Sequence, residues 1–219
     1  MNTILCLETS GLGCSVAVSQ NGDCKAFKSI ISEQYRHAEV LHTLVGEVLT
    51  ELLIDLKAVN AIAVSHGPGS YTGLRVGVSA AKGFCYALSI PLIAVNTLEL
   101  IARDAMQQTK GLYRYVAMID ARREEVFLQE FNEKIAAISE PKPVILTEYD
   151  AGNTPVVLCG DGAEKARKYF TGEQYVFFPD AKPLASTMCG IVQKLFEEKK
   201  FENVAYFEPF YLKEFYTGK

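Results

Sequence analysis

Ser65-His66-Gly67-Pro68-Gly69-Ser70-Tyr71-Thr72-Gly73-Leu74-Arg75 is the stretch on which the fold turns. The apolar run Val59 to Val64 before it has the length of a buried strand, and Thr72 to Leu88 after it reads as a helix. Pro91 to Val95 follows as another strand, with a further helix from about Thr97, so the loop lies at the carboxyl end of a strand in a β-α-β unit. Gly67 and Gly69 free the backbone for a tight turn, and the amides opening the next helix favour an anion at its N-terminus. The competing reading is an ordinary strand-to-helix turn shaped by glycine and proline, since the stretch has neither a Walker lysine nor a Gly-x-Gly-x-x-Gly fingerprint.

Upstream, Ile4 to Leu7 is a short apolar run, Thr9 to Gly13 is turn material, Cys14 to Val18 alternates, and Asn21-Gly22 signals a type I′ hairpin, which together make an opening meander. From Ser32 to Leu56 the residues Leu41, Leu44, Val45, Val48, Leu49, Leu52, Leu53 and Leu56 recur at helical spacing. They predict a long amphipathic helix, N-capped by Ser32, whose stripe could face more than one neighbour. Downstream of Lys110-Gly111 the pattern restarts. Tyr115 to Ile119 and Glu125 to Phe131 read as paired strands, followed by a connection bearing Pro141 and Pro143. Val156 to Cys159 then runs into Gly160-Asp161-Gly162 and a helix from Ala163 to Tyr169, and Leu184 to Glu198 closes as a helix. Two similar halves are expected, an N-terminal lobe over residues 1–106 and a C-terminal lobe over 107–219, with the last segment packing back on the first lobe. The aromatic tail Glu208 to Leu212 is expected to pack as well.

The 219 residues are 49% hydrophobic, enough for a sizeable core. Twenty-two Lys and Arg against 26 Asp and Glu leave a formal charge of -4, so no basic excess is available to grip nucleic acid by its phosphates. The start of the chain shows no basic leader and no segment is apolar enough to span a bilayer, so a cytoplasmic protein without membrane contact is expected. The six cysteines include no closely spaced pair, which points to reduced thiols, buried except for Cys24.

Among residues that could carry chemistry, Gly73, Gly77, Ala80, Ala81 and Gly83 place small side chains on successive turns of one helix. That costs helix propensity and is worthwhile where another element approaches closely, either this chain's own sheet or a partner helix. Phe84 beside the stripe favours the partner. His37 and His42 stand five apart, off the four-residue spacing of a helical metal pair. His66, alone in the glycine loop, is expected to bond backbone sooner than to catalyse.

Leu7-Glu8-Thr9-Ser10, the run Gly67 to Gly77, Ile119-Asp120-Ala121-Arg122 with Glu125-Val126-Phe127, Gly160-Asp161-Gly162-Ala163 and the ending Pro209 to Lys213 together resemble the TsaB family over nearly the whole chain. The resemblance implies a two-lobed, actin-like (ASKHA, ribonuclease H-like) α/β fold with mixed sheets flanked by helices. It also implies a non-catalytic subunit needed to form N6-threonylcarbamoyladenosine (t6A) at position 37 of tRNAs that read codons beginning with A. The implied partners are a TsaD-like catalytic subunit, bound through the first two helices, and a TsaE-like ATPase in the wider assembly. A homodimer is expected when the chain is alone, and tRNA is met only through the complex. The catalytic relative carries a His-x-Glu-Gly-His metal stretch where this chain has Thr97, Glu99 and Ile101, and a hydroxyl and an aliphatic chain are no first shell for a transition metal. No metal and no cofactor are therefore expected. The partner interface is expected at His37, Leu41, Leu44, Gly73, Val76, Gly77, Ala80 and Phe84, with Gly77 facing outward. Paired turns, one per lobe, hold nucleotide phosphates in actin-like enzymes. Their vestiges here would be Glu8, Thr9, Ser10, Gly67 and Gly69 in the first half and Asp120, Gly160, Asp161 and Gly162 in the second. Glu8 stands where the family often has Asp, and Tyr71 where it often has Phe. The alternative is a small ATP-dependent kinase or phosphotransferase of the same fold, which would need an Asp-x-Gly phosphate turn that the first half lacks. A peptidase is a further rival, against which the missing histidine pair argues.

Overall fold

The computed structural model describes residues 1–31, 37–111 and 113–213. Its contacts divide the chain into two units, each assembled from separate stretches: Met1–Thr97 with Pro183–Phe210, and Leu98–Lys182 with the chain from Tyr211 on.

In the first unit, strands β1 (Thr3–Glu8), β2 (Gly13–Gln20) and β3 (Asp23–Ile31) form the opening meander. At the β2–β3 hairpin Asn21 and Gly22 both take positive φ, 52° and 89°, as a type I′ turn requires. Strands β4 (Ala61–Gly67) and β5 (Leu92–Asn96) join β1 in parallel, so the sheet order is β3-β2-β1-β4-β5. Helices α1 (His37–Glu51) and α2 (Tyr71–Leu88) cover one face, where Leu41, Leu44, Val45, Val48, Val78 and Ala81 pack on Leu5, Leu7, Val16, Val18, Ile62 and Val64. The N-cap expected at Ser32 lies outside the described residues. The apolar period overran the far end, because α1 stops at Glu51 and Leu53, at φ 54°, is 91% exposed.

The second unit repeats the plan. After α3 (Thr97–Gln108) come β6 (Arg114–Asp120), β7 (Glu125–Phe131), β8 (Lys142–Ile145), β9 (Val156–Cys159) and β10 (Tyr175–Phe178) in the order β10-β9-β6-β7-β8. Again the first strand is central, and of the four strand pairings two are antiparallel and two are parallel. The stretch with Pro143 is strand and not connection, at the sheet's edge, where a missing N–H is tolerated. The counterpart of α1 is reduced to the single 3-10 turn Leu146–Glu148, and that of α2 to the short α4 (Gly162–Ala166), which ends before the expected Tyr169.

The covering helices are exchanged between the two stretches of chain. α3, which follows the last strand of the first sheet, lays Leu98, Ile101, Ala102 and Ala105 on Tyr115, Ala117, Phe131 and Val157 of the second. α5 (Ala185–Glu197), which follows the last strand of the second sheet, packs on β1, β2 and β3 of the first, on the face away from α1 and α2. There Ser15 Oγ accepts from Ala185 N at 3.0 Å and Ser19 Oγ donates to the Cys189 carbonyl at 3.2 Å. The tail folds onto the first unit: Glu202 N donates to Leu92 O at 2.9 Å along the edge of β5, and Lys82 Nζ donates to the carbonyls of Ala205 and Phe207. Among the described residues no helix is long and apolar enough to cross a membrane.

Candidate functional site

The glycine loop is filled by the chain's own backbone. Ser70 caps α2 through its side chain, which accepts from Gly73 N at 3.2 Å, while its own N–H donates to Ser10 O at 2.7 Å. Phe210 N donates to His66 O at 2.7 Å, and a Cβ on Gly67, at φ 126°, would overlap the Phe210 carbonyl oxygen. A Cβ on Gly69 would come within 2.5 Å of Ser10 O. Gly67, Gly69, Glu8, Thr9 and Ser10 are thus brought together at the carboxyl ends of β1 and β4, but the loop's close approaches are to peptide groups of this chain. His66 sits in the same wall, with Nδ1 3.0 Å from Val95 O, its ring 5.9 Å from that of Phe210, and its pKa lowered by burial.

Glu8 is buried here. Its Oε1 takes the N–H and the hydroxyl of Ser10, both at 2.5 Å, and its carboxyl is raised above the usual range by burial, against the opposing hydrogen bonds from Ser10. A carboxyl inclined to stay neutral is a poor ligand for magnesium. In the second unit Asp120 and Asp161 also meet, since Asp161 Oδ1 accepts from Asp120 N at 2.9 Å. Gly160 and Gly162 lie against Met118 and Ile119 without room for a Cβ. Lys165 closes this turn: its ammonium is 2.6 Å from Asp120 Oδ1 and 2.7 Å from Arg123 O, the position where an external cation would otherwise be drawn.

The small residues of α2 divide between two faces, and this corrects part of the expected interface. A Cβ on Gly73 would overlap Thr9 O, and one on Gly77 would overlap Thr9 Oγ1 and press on Val64. Thr9 Oγ1 also donates to Gly73 O at 2.8 Å. Gly73 and Gly77 therefore let α2 sit down on β1 and face inward. His37 is likewise interior, 3% exposed with Nε2 3.2 Å from Gly13 O, and Leu44 belongs to the core under α1. Leu41 is buried too, yet it floors an open groove of about 880 Å³ between α1 and α2. The groove's walls hold Val76, Ala80 and Phe84, which the sequence had singled out, together with Ala38, His42, Tyr71, Arg75 and Gly83. Phe84 meets His42 edge-on at 5.5 Å, and the Arg75 guanidinium lies 4.0 Å over the Tyr71 ring. Around Gly46 on α1 and Gly83 on α2 none of the described residues lies within 4 Å of an added Cβ. Two of the missed groove residues carried a signal, because Ala38 and His42 stand four apart beside the leucine stripe.

At the position of the relative's metal stretch, Glu99 Oε1 accepts from Arg103 Nε and Nη2 at 2.9 and 2.7 Å, and Ile101 is buried against the second sheet. Among the described residues no group of three or more His, Cys, Asp or Glu side chains could hold a metal ion.

Comparison with known proteins places these features in context. Residues 29–206 match the family model described as TsaD: tRNA N6-adenosine threonylcarbamoyltransferase. The chain is 29% identical to the tRNA threonylcarbamoyladenosine biosynthesis protein TsaB of Escherichia coli K12, over 96% of this chain and 94% of that one. It is 36% identical to the TsaB protein of Haemophilus influenzae, over 61% of this chain and 56% of that one. The solved structure of YeaZ from Pseudomonas aeruginosa superimposes with a TM-score of 0.85 at 26% identity, covering 97% of this chain and all of that one.

Proposed function

The chain belongs to the family described as TsaD: tRNA N6-adenosine threonylcarbamoyltransferase, and within it to the TsaB proteins, and from that premise we propose that it works as a non-catalytic subunit in t6A formation. It takes part in t6A biosynthesis by pairing with a TsaD-like catalytic subunit, for modification of position 37 in tRNAs that read codons beginning with A. The observation that carries the reading is the groove between α1 and α2, an apolar and aromatic surface on the outward side of helices whose inward sides are already satisfied. Gly83 is its most telling member. A glycine inside an exposed helix costs about 1 kcal/mol against alanine, and among the described residues nothing occupies the space it leaves. A partner helix brought close over Val76, Ala80 and Gly83 gives that space a use.

Three local features support a non-enzymatic role. Thr97 and Ile101 offer no imidazole, Glu99 is held by Arg103, and the Asp120 turn is neutralised by Lys165. The phosphate turns act in this reading as structural relics at Glu8, Thr9, Ser10, Gly67 and Gly69 and at Asp120, Gly160, Asp161 and Gly162. A kinase or phosphotransferase would need those same groups free. In the cytoplasm the α1–α2 face exchanges between a second copy of the chain and the catalytic subunit, a TsaE-like ATPase joins the larger assembly, and tRNA is met through the complex.

Gly83→Glu tests the surface. The variant keeps its fold, because the new side chain enters open space, and loses binding to a TsaD-like subunit by at least tenfold in calorimetry, with matching loss of t6A in a reconstituted mixture. Wild-type affinity in a folded Gly83→Glu chain would place the interface elsewhere.

A further inference from the structure

We propose that Cys24 and Cys189 form a thiol pair that closes to a disulfide under mild oxidation and reopens on reduction, fastening α5 to the edge strand β3. Three of the six cysteines converge on the face of the first sheet that α5 covers. Cys6 on β1 lies opposite Ala17 of β2, and Cys24 on β3 lies opposite Ser19 of β2, beside the bulge that shifts the β2–β3 register. Ser19 Oγ donates to the carbonyl of Cys189, so α5 is seated over β2, where the small side chains of Ala17 and Ser19 leave room for it. Cys189, on the helix laid across β1, β2 and β3, stands between Cys6 on β1 and Cys24 on β3. Among the described residues no set of three such side chains could hold a metal, so the convergence is not a zinc site.

The three thiols differ in access. Cys6 and Cys189 are buried, at 0% and 2% exposed, while Cys24 is exposed and is the first that a small oxidant meets. Hydrogen bonds from Cys6, and then from Cys24 and Ser19, pull Cys189 below the usual thiol range against the effect of burial. Burial and the neighbouring Cys189 push Cys24 up to about 12. Cys24 is thus the thiol that meets the oxidant, and Cys189, seated over Ser19 beside it, is the one placed to resolve the adduct.

With a small disulfide RS–SR as oxidant, the Cys24 thiol releases its proton to solvent and its sulfur attacks one of the two sulfurs. An S–S bond to Cys24 forms, and RS⁻ leaves and takes a proton from solvent. Cys189 then gives up its proton and attacks the Cys24 sulfur, expelling the second RS⁻, which is protonated in turn. The two protein thiols lose two electrons and two protons, and the oxidant becomes two RSH.

The full chain is incubated with oxidised glutathione and then mapped by mass spectrometry without reduction. The expected result is a loss of two thiols, a fall of two hydrogen masses, one peptide link between residues 24 and 189, and full reversal by a dithiol. The oxidised chain also unfolds at higher denaturant, since the bond ties distant parts of the chain. Cys24→Ser, an exposed position that does not threaten the fold, shows no link, and Cys6→Ser behaves as wild type. A Cys6–Cys189 link, a Cys24–Cys24 bond between two chains, or arrest at a stable glutathione adduct on Cys24 would each overturn the proposal.

Discussion

Gly77 and Gly83 stand six residues apart on α2, and their substitution by alanine separates an interior glycine from an exposed one. At Gly77 the added methyl meets Thr9 Oγ1 and Val64, and overpacking there should cost about 1–3 kcal/mol. At Gly83 the methyl meets none of the described residues, and the gain in helix propensity should stabilise the isolated chain by about 0.5–1 kcal/mol. Urea midpoints for the two variants, moving in opposite directions, check both statements. Glu8 makes a pH-dependent case. Its carboxyl is raised in the folded state by burial, so its stabilising contribution is complete below the unfolded value near 4.3 and is lost as pH rises through the folded value. Glu8→Gln keeps an acceptor for Ser10 and offers Ser65 a donor without charge. It should raise the midpoint at pH 7, with the advantage shrinking towards pH 4, whereas an advantage independent of pH would mean that Glu8 is not the titrating group.

Regular elements were readable where a side-chain period was long and its neighbours were local. α2 was expected from Thr72 to Leu88 and begins one residue earlier, and β7 has the bounds the alternation implies. The period misled at the end of α1, where Leu52, Leu53 and Leu56 prolong the leucine spacing past Glu51, and it was silent on β10, four half-buried residues without alternation. The groove was half legible for a different reason. Val76, Ala80 and Phe84 show their apolar character in sequence, but a glycine looks the same from either side of a helix, and only Thr9, brought up from β1, decides that Gly73 and Gly77 turn inward. The end of α2 offers a test at this scale. Ser89 closes the helix at φ 55° and ψ 41°, with its N–H bonded to Cys85 O, a conformation that glycine adopts without a Cβ penalty. Ser89→Gly should raise thermal stability by about 0.5–1 kcal/mol, read as a higher melting midpoint with unchanged helix content.

At the scale of the whole chain, one strand plan is used twice, with the second copy pared from two crossover helices to a 3-10 turn and five helical residues. The exchange of α3 and α5 gives this repetition an order in time. On a ribosome β1, β2 and β3 emerge early, but α5, which covers their second face, is made more than 150 residues later, on the order of ten seconds at about 5–20 residues per second. Throughout that interval Ile4, Cys6, Ala17 and their neighbours await their cover. A chain stopped at Lys182 should therefore bind a hydrophobic dye and unfold without a cooperative transition, and a peptide spanning residues 183–210, added in trans, should abolish the dye binding and restore the cooperative transition. A sharp, dye-free transition in the stopped chain would show that the early sheet matures without waiting for its last helix.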